Sequence, residues 1–157
     1  MPKQKVYLKL AIDEAFQGIR MREGGPFGAV IVRDGKILSK GHNTVLKSHD
    51  PTAHAEINAI RDACGQVGDH HLTGAVLFSN FEPCPMCLSA IYWADIREVY
   101  YCEGRNETEK IGFMDNHLYR EFTLPGEKRE VVVTRIAMKE MDDLIETWRS
   151  SEGKVFY

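Results

Sequence analysis

The chain reads as an α/β protein built on a mixed sheet. Two observations carry that reading. A strong two-residue hairpin signal, Asp34-Gly35, joins two short apolar runs, and the later apolar runs alternate between strand-like and helix-like spacing. A hairpin makes its strands antiparallel, whereas a crossover helix between strands makes them parallel. In order, residues 6–20 carry Leu8, Ala11, Ile12, Ala15, Phe16 and Ile19 at helical spacing, and Gly24-Gly25-Pro26 stops that helix. Residues 27–32 form a β-branched strand, and the return strand passes Ile37 and Leu38 towards Asn43. A polar loop to Pro51 precedes a second helix from Ala53 to Gly65 or Gly68. Residues 75–79 read as a buried strand. Pro83-Cys-Pro-Met-Cys87 then opens a third helix, because proline is tolerated in a first turn whose N–H groups lack helical partners. Residues 98–102 are predicted as a strand, 103–129 as irregular with a short helix near 107–112, and 130–137 as a further strand. The last helix covers 139–149, with Met141, Leu144, Ile145 and Trp148 on one face.

A length of 157 residues with 43% hydrophobic and 27% charged residues fits one globular domain over 1–157, large enough to bury its own core. No apolar run approaches the ~18 residues of a membrane span, and the first residues lead into an amphipathic segment rather than a signal peptide. A net charge of -3 gives no polybasic footprint for nucleic acid. The cysteines are Cys64, Cys84, Cys87 and Cys102. A chain of this size needs no disulfides, so a reducing, cytoplasmic setting is expected. Cys64 and Cys102 sit among apolar neighbours and are expected to be packed core residues.

Cys84 and Cys87 form a Cys-x-x-Cys, which in such a compartment means a metal site or a redox dithiol. Three residues apart in a helical turn, both thiols point to nearly one side, and a helix N-terminus favours their thiolates. Together with His54 they make a sulfur and nitrogen donor set suited to one zinc ion. Three protein ligands leave the fourth tetrahedral position to water or hydroxide, as in a catalytic site. Glu56, two residues beyond His54, is then the natural proton carrier. A structural zinc site would need a fourth ligand, for which Cys64, His49, His70 and His71 are available. A thioredoxin-like dithiol would leave His54 and Glu56 without a role.

His54-Ala-Glu56 with Pro83-Cys84-x-x-Cys87 resembles the zinc site of the cytidine-deaminase-like superfamily. The longer stretches Gly24-Gly-Pro-Phe-Gly-Ala29, Asp50-Pro-Thr-Ala-His-Ala-Glu56, Glu82-Pro-Cys-Pro-Met-Cys87 and Ala90-Ile-Tyr-Trp-Ala94 are similar to the small bacterial guanine deaminases, over nearly the whole chain. The resemblance implies a three-layer α-β-α fold with a five-stranded mixed sheet. It also implies a homodimer whose tail, residues 150–157, crosses to cap the partner's active site. It implies roles residue by residue: His54, Cys84 and Cys87 for zinc, and Glu56 as proton shuttle. Asn43 would bond the carbonyl edge of a purine, Phe27 and Trp93 would line the ring pocket, Asp115 would contact substrate and assist proton transfer, and Tyr157 would be the capping aromatic. Met114 departs from a second acidic residue found in related sequences, and Asn80-Phe81 is an unusual pair ahead of Glu82.

The implied reaction is hydrolysis of guanine to xanthine and ammonia, with Glu56 protonating N3 so that C2 becomes electrophilic. A tRNA adenosine deaminase shares several of these motifs but needs a basic surface. Residues 139–152 carry two basic residues, Lys139 and Arg149, against the five acidic residues Glu140, Asp142, Asp143, Glu146 and Glu152. Guanosine, cytosine or an aminotriazine are alternative small substrates, and a zinc-stabilised binding module is the alternative outside catalysis.

Overall fold

The computed structural model describes residues 3–156, which divide into two compact units that meet in sequence between Arg120 and Glu121. In the first unit the order is α1 (Lys3–Met21), β1 (Gly28–Arg33), β2 (Lys36–His42), α2 (Val45–Ser48), α3 (Ala55–Val67), β3 (Val76–Phe81), α4 (Pro85–Trp93), β4 (Glu98–Glu103) and α5 (Arg105–Lys110). Next comes α6, Asp115–Thr123.

The sheet order is β2-β1-β3-β4, antiparallel at β2/β1 and β1/β3 and parallel at β3/β4. Asp34 and Gly35 both have positive φ, 53° and 75°, the backbone that a tight twisted hairpin demands. Because β1 is buried on both faces, its apolar residues run without a polar alternation. Ala29 and Ile31 face α3 and α4 with Leu77, Ala55, Ala59, Ala63 and Ile91, while Val30, Val32 and Phe78 face α1 through Ala11. The alanines at 55, 59 and 63 recur every helical turn, a stripe of small side chains that lets α3 sit close to the sheet. On α1 the buried stripe is Ala11, Glu14, Ala15 and Gly18, whereas Phe16 and Ile19 are 54% and 46% exposed. The large apolar residues of the predicted amphipathic face are therefore not its most buried ones.

Glu14 and Glu23 are buried carboxylates that meet cations. Lys40 Nζ reaches Glu14 at 2.7 Å, Lys47 Nζ reaches Glu23 at 2.8 Å, and the His42 Nε2 lies 2.8 Å from Glu23. The Lys47 hydrogen bond, then that of His42, holds the Glu23 carboxyl below its ordinary range. This network anchors the end of β2, next to Asn43.

Several expectations are corrected. Among the described residues the sheet has four strands rather than five. Residues 130–137 form no strand, and Val131, Val132 and Val133 are 72–81% exposed. The β-branched run has the right propensity, but a strand is completed only by a neighbour that takes up its backbone groups. The 103–129 stretch is more ordered than expected, with α5, α6 and a 3-10 turn at Gly126–Lys128. Cys102 is exposed on β4 and Cys64 is only partly buried, so neither is a fully packed core residue. A short helix, α2, occupies the predicted polar loop.

In the second unit, α7 covers Glu140–Ser150, with Glu140, Asp142 and Asp143 in its first turn and Arg149 in its last. Those charges complement the helix dipole. Its predicted apolar face, Met141, Leu144, Ile145 and Trp148, is 43–59% exposed. Among the described residues no helix is long and apolar enough to cross a membrane.

Candidate active site

Two helix beginnings converge at the site. His54 is the N-cap of α3 and Cys84 the N-cap of α4, both with extended backbone, and Pro85 follows at the first helical position. Asp50 sets the approach to His54, because its carboxylate accepts hydrogen bonds from the Thr52 N–H (2.8 Å) and hydroxyl (2.7 Å). The His54 Nδ1 then lies 3.6 Å from the Cys84 Sγ and 3.5 Å from the Cys87 Sγ. Zinc bonds of about 2.3 Å to sulfur and 2.0–2.1 Å to nitrogen set tetrahedral N···S edges of roughly 3.6 Å. The donor set and its spacing fit one zinc ion, and all three ligand atoms lie within 4.8 Å of one another.

The electrostatics suit a metal. The hydrogen bond from Cys87, assisted by His54, holds the Cys84 thiol down at about 4, in the thiolate form that binds zinc. The Cys84 thiolate in turn pushes Cys87 upward and, as a hydrogen-bond partner, raises His54. Glu56 is 5% exposed in the first turn of α3, and burial raises its carboxyl above the ordinary value. Its Oε1 accepts a hydrogen bond from the Ser79 hydroxyl at 3.2 Å, and its Oε2 one from the Cys87 thiol at 3.5 Å.

These groups open onto a cavity of about 260 Å³ lined by Phe27, Asn43, His54, Glu56, Cys84 and Asp115. That is close to the lower end of small-ligand pockets, about 300 Å³. Asn43 is 4% exposed, and its Oδ1 accepts the N–H groups of Gly25 (3.3 Å) and Val45 (3.1 Å). With the oxygen so committed, the Nδ2 amide is the donor that Asn43 has left to offer. Gly24 makes this arrangement possible, since a Cβ there would lie 2.1 Å from the Asn43 Oδ1. Asp115 begins α6, and burial, followed by the nearby Cys84 thiolate, pushes its carboxyl up to about 6.

The cavity also takes in Val45, Pro51, Glu82 and Phe113, which sequence reasoning missed. Phe113 meets the Phe27 ring edge-on at 4.7 Å, across a separation in sequence that no local pattern encodes. Glu82 accepts the Arg105 N–H at 3.2 Å, and the Tyr119 hydroxyl donates to the Pro83 carbonyl at 2.9 Å. The metal loop is thus held from α5 and α6. Trp93 ends α4, 63% exposed, outside the lining of this cavity in the single chain. Tyr157 lies outside the described residues.

Residues 1–103 match the family described as the cytidine and deoxycytidylate deaminase zinc-binding region, and the chain belongs to that family. It is 41% identical to the guanine deaminase of Bacillus subtilis (strain 168) over 153 residues, covering 98% of both chains. The X-ray structure of guanine deaminase from Bacillus subtilis superposes with a TM-score of 0.93 over 98% of each chain. A tRNA-specific adenosine deaminase of Agrobacterium fabrum is 42% identical over 101 residues, 64% of this chain and 66% of that protein.

Proposed function

We propose that this chain is a zinc-dependent aminohydrolase that converts free guanine and water to xanthine and ammonia, a step of purine breakdown. The observation that carries the reading is the His54, Cys84 and Cys87 triad beside buried Glu56, opening on one small cavity that also presents Asn43 and Asp115. The similarity to a guanine deaminase across 98% of both chains supports guanine over an adenosine within tRNA, where the likeness covers 62–78% of this chain.

When bound, zinc supplies a Lewis acid that lowers the pKa of a coordinated water to about 7. Glu56 takes the proton that water gives up and delivers it to ring N3, so that C2 becomes electrophilic. The new bond is C2–O and the bond broken is C2–N, and the C2 hydroxyl proton passes to Asp115 as the carbonyl forms. Asp115, held near 6 by burial, retains a protonated fraction at neutral pH that can pass to the departing amine. Asn43 donates from Nδ2 to the carbonyl edge of the base, and Phe27 and Phe113 exclude water from its faces.

A spectrophotometric screen of free purine and pyrimidine bases for ammonia release tests the reading. Guanine is expected at the top; efficient inosine formation in tRNA with guanine untouched would reverse it.

The same reading makes the protein a cytoplasmic homodimer, with residues 150–157 of one subunit capping the cavity of the other. Four free cysteines support the compartment. The exposed run Val131, Val132 and Val133 supports association, since an extended apolar segment with open backbone groups is a template for another chain. Removing residues 154–157, and Tyr157 with them, is expected to raise KM for guanine while the fold remains. Unchanged kinetics in the truncated protein would rule out the cap.

A further inference from the structure

The unusual pair Asn80-Phe81 stands at the end of β3, immediately before Glu82 and the metal loop. The backbone ladder between β1 and β3 ends at Ala29 opposite Ser79. At the next position the side chain of Asn80 takes the ladder's place. Its Oδ1 accepts the Gly28 N–H at 2.9 Å and its Nδ2 donates to the Pro26 carbonyl at 2.8 Å. Those two backbone groups flank Phe27, so one side chain 8% exposed grips the chain on both sides of the residue that walls the cavity.

The neighbours extend the grip. The Phe81 ring packs on Phe27 with centroids 5.4 Å apart and planes at 65°. The Phe27 carbonyl in turn accepts the Asn43 N–H at 3.0 Å. A continuous path therefore runs from the strand that leads into Cys84, through Asn80, to the aromatic wall and then to the amide donor. Both hydrogen-bonding ends of the Asn80 amide are used, and a hydrocarbon of similar size would leave the buried Gly28 N–H and Pro26 carbonyl without this partner.

We propose that Asn80 is a positioning residue for a flat heterocyclic base: it holds Phe27, and through it Asn43, at a fixed distance from the metal ligands without itself touching the substrate. The inference rests on reading the cavity as a purine-base site, and it adds the residue that sets the cavity's planar wall. A short slip of the wall weakens binding of the ring, whereas the metal triad and Glu56, which are held by α3 and α4, stay in place.

The test is Asn80→Ala in the full chain, with zinc content measured alongside. KM for guanine is expected to rise about tenfold while kcat stays within roughly threefold, the signature of lost ground-state binding. Binding of 8-azaguanine, measured at equilibrium, is expected to weaken in parallel. Amide exchange at Gly28 is expected to quicken selectively, with Ile31 in the same strand unchanged. A loss confined to kcat, or unaltered KM and Gly28 protection, overturns the proposal. If the alanine variant does not fold, Asn80→Ser, which keeps a buried hydroxyl but loses the reach to Pro26, is read the same way. Should guanine prove not to be the substrate of the unaltered protein, Gly28 exchange still decides whether Asn80 holds the Phe27 segment, so the two failures are separable.

Discussion

Replacing Glu56 by glutamine is expected to lower kcat by about 10²–10⁴-fold, the range that a positioned proton carrier contributes. Zinc content should remain at the wild-type level, because His54, Cys84 and Cys87 are untouched. The amide is nearly isosteric, and its oxygen can still accept the Ser79 hydroxyl that now lies 3.2 Å from Oε1. It also removes an ionisable group from a site only 5% exposed, where burial disfavours the charge. Thermal stability should therefore hold or rise while turnover collapses. That divergence is the diagnostic result, since a residue needed only for folding would lose stability and activity together. Near-normal turnover in this variant would remove Glu56 from the chemistry.

Stripping the metal with a chelator, or changing Cys84 to serine, is expected to abolish activity and lower Tm without unfolding the chain at room temperature. The two larger core clusters, around Ile31 and Leu77 on one face and Val30 and Phe78 on the other, use none of the three ligands. A ligand present at about 1,000 times its Kd stabilises by about 4 kcal/mol. For a domain of this size that corresponds to a fall in Tm on the order of 10 °C when it is removed. The pH dependence has a definite sign. His54 and Cys87 both hold their protons more tightly than usual in the metal-free site and must release them to ligate. Zinc uptake should therefore acidify the solution and weaken as pH falls. Calorimetric titration in buffers of different ionisation enthalpy measures the released protons; an uptake with no proton release would contradict this ligand set.

How much of this was legible depends on how local the signal was. The hairpin at Asp34-Gly35, the entry to α4 at Pro83-Cys84-Pro85 and the His54-Ala55-Glu56 start of α3 are each dictated within a few residues, and each appears where the sequence places it. The run 130–137 carried the right residue types for a strand, but pairing depends on what lies beside it, which composition does not contain. Phe113 escaped notice because its place at the cavity depends on the turn between α5 and α6 returning to Phe27, whereas Glu82 stood in the metal-loop motif without a role of its own. Asn80 looked only unusual in the sequence; the two backbone groups it bridges are more than 50 residues away in the chain.

The ligand spacing has one more consequence. His54 and Cys84 are separated by 30 residues, a stretch that contains all of α3 and β3. A metal bound to both is therefore a reversible cross-link that closes a loop around the centre of the sheet. The packing of α3 and α4 brings the His54 Nδ1 within 3.5–3.6 Å of both thiol sulfurs, so zinc bound to all three favours the folded chain over the unfolded one. The metal thus acts as a latch on the completed fold.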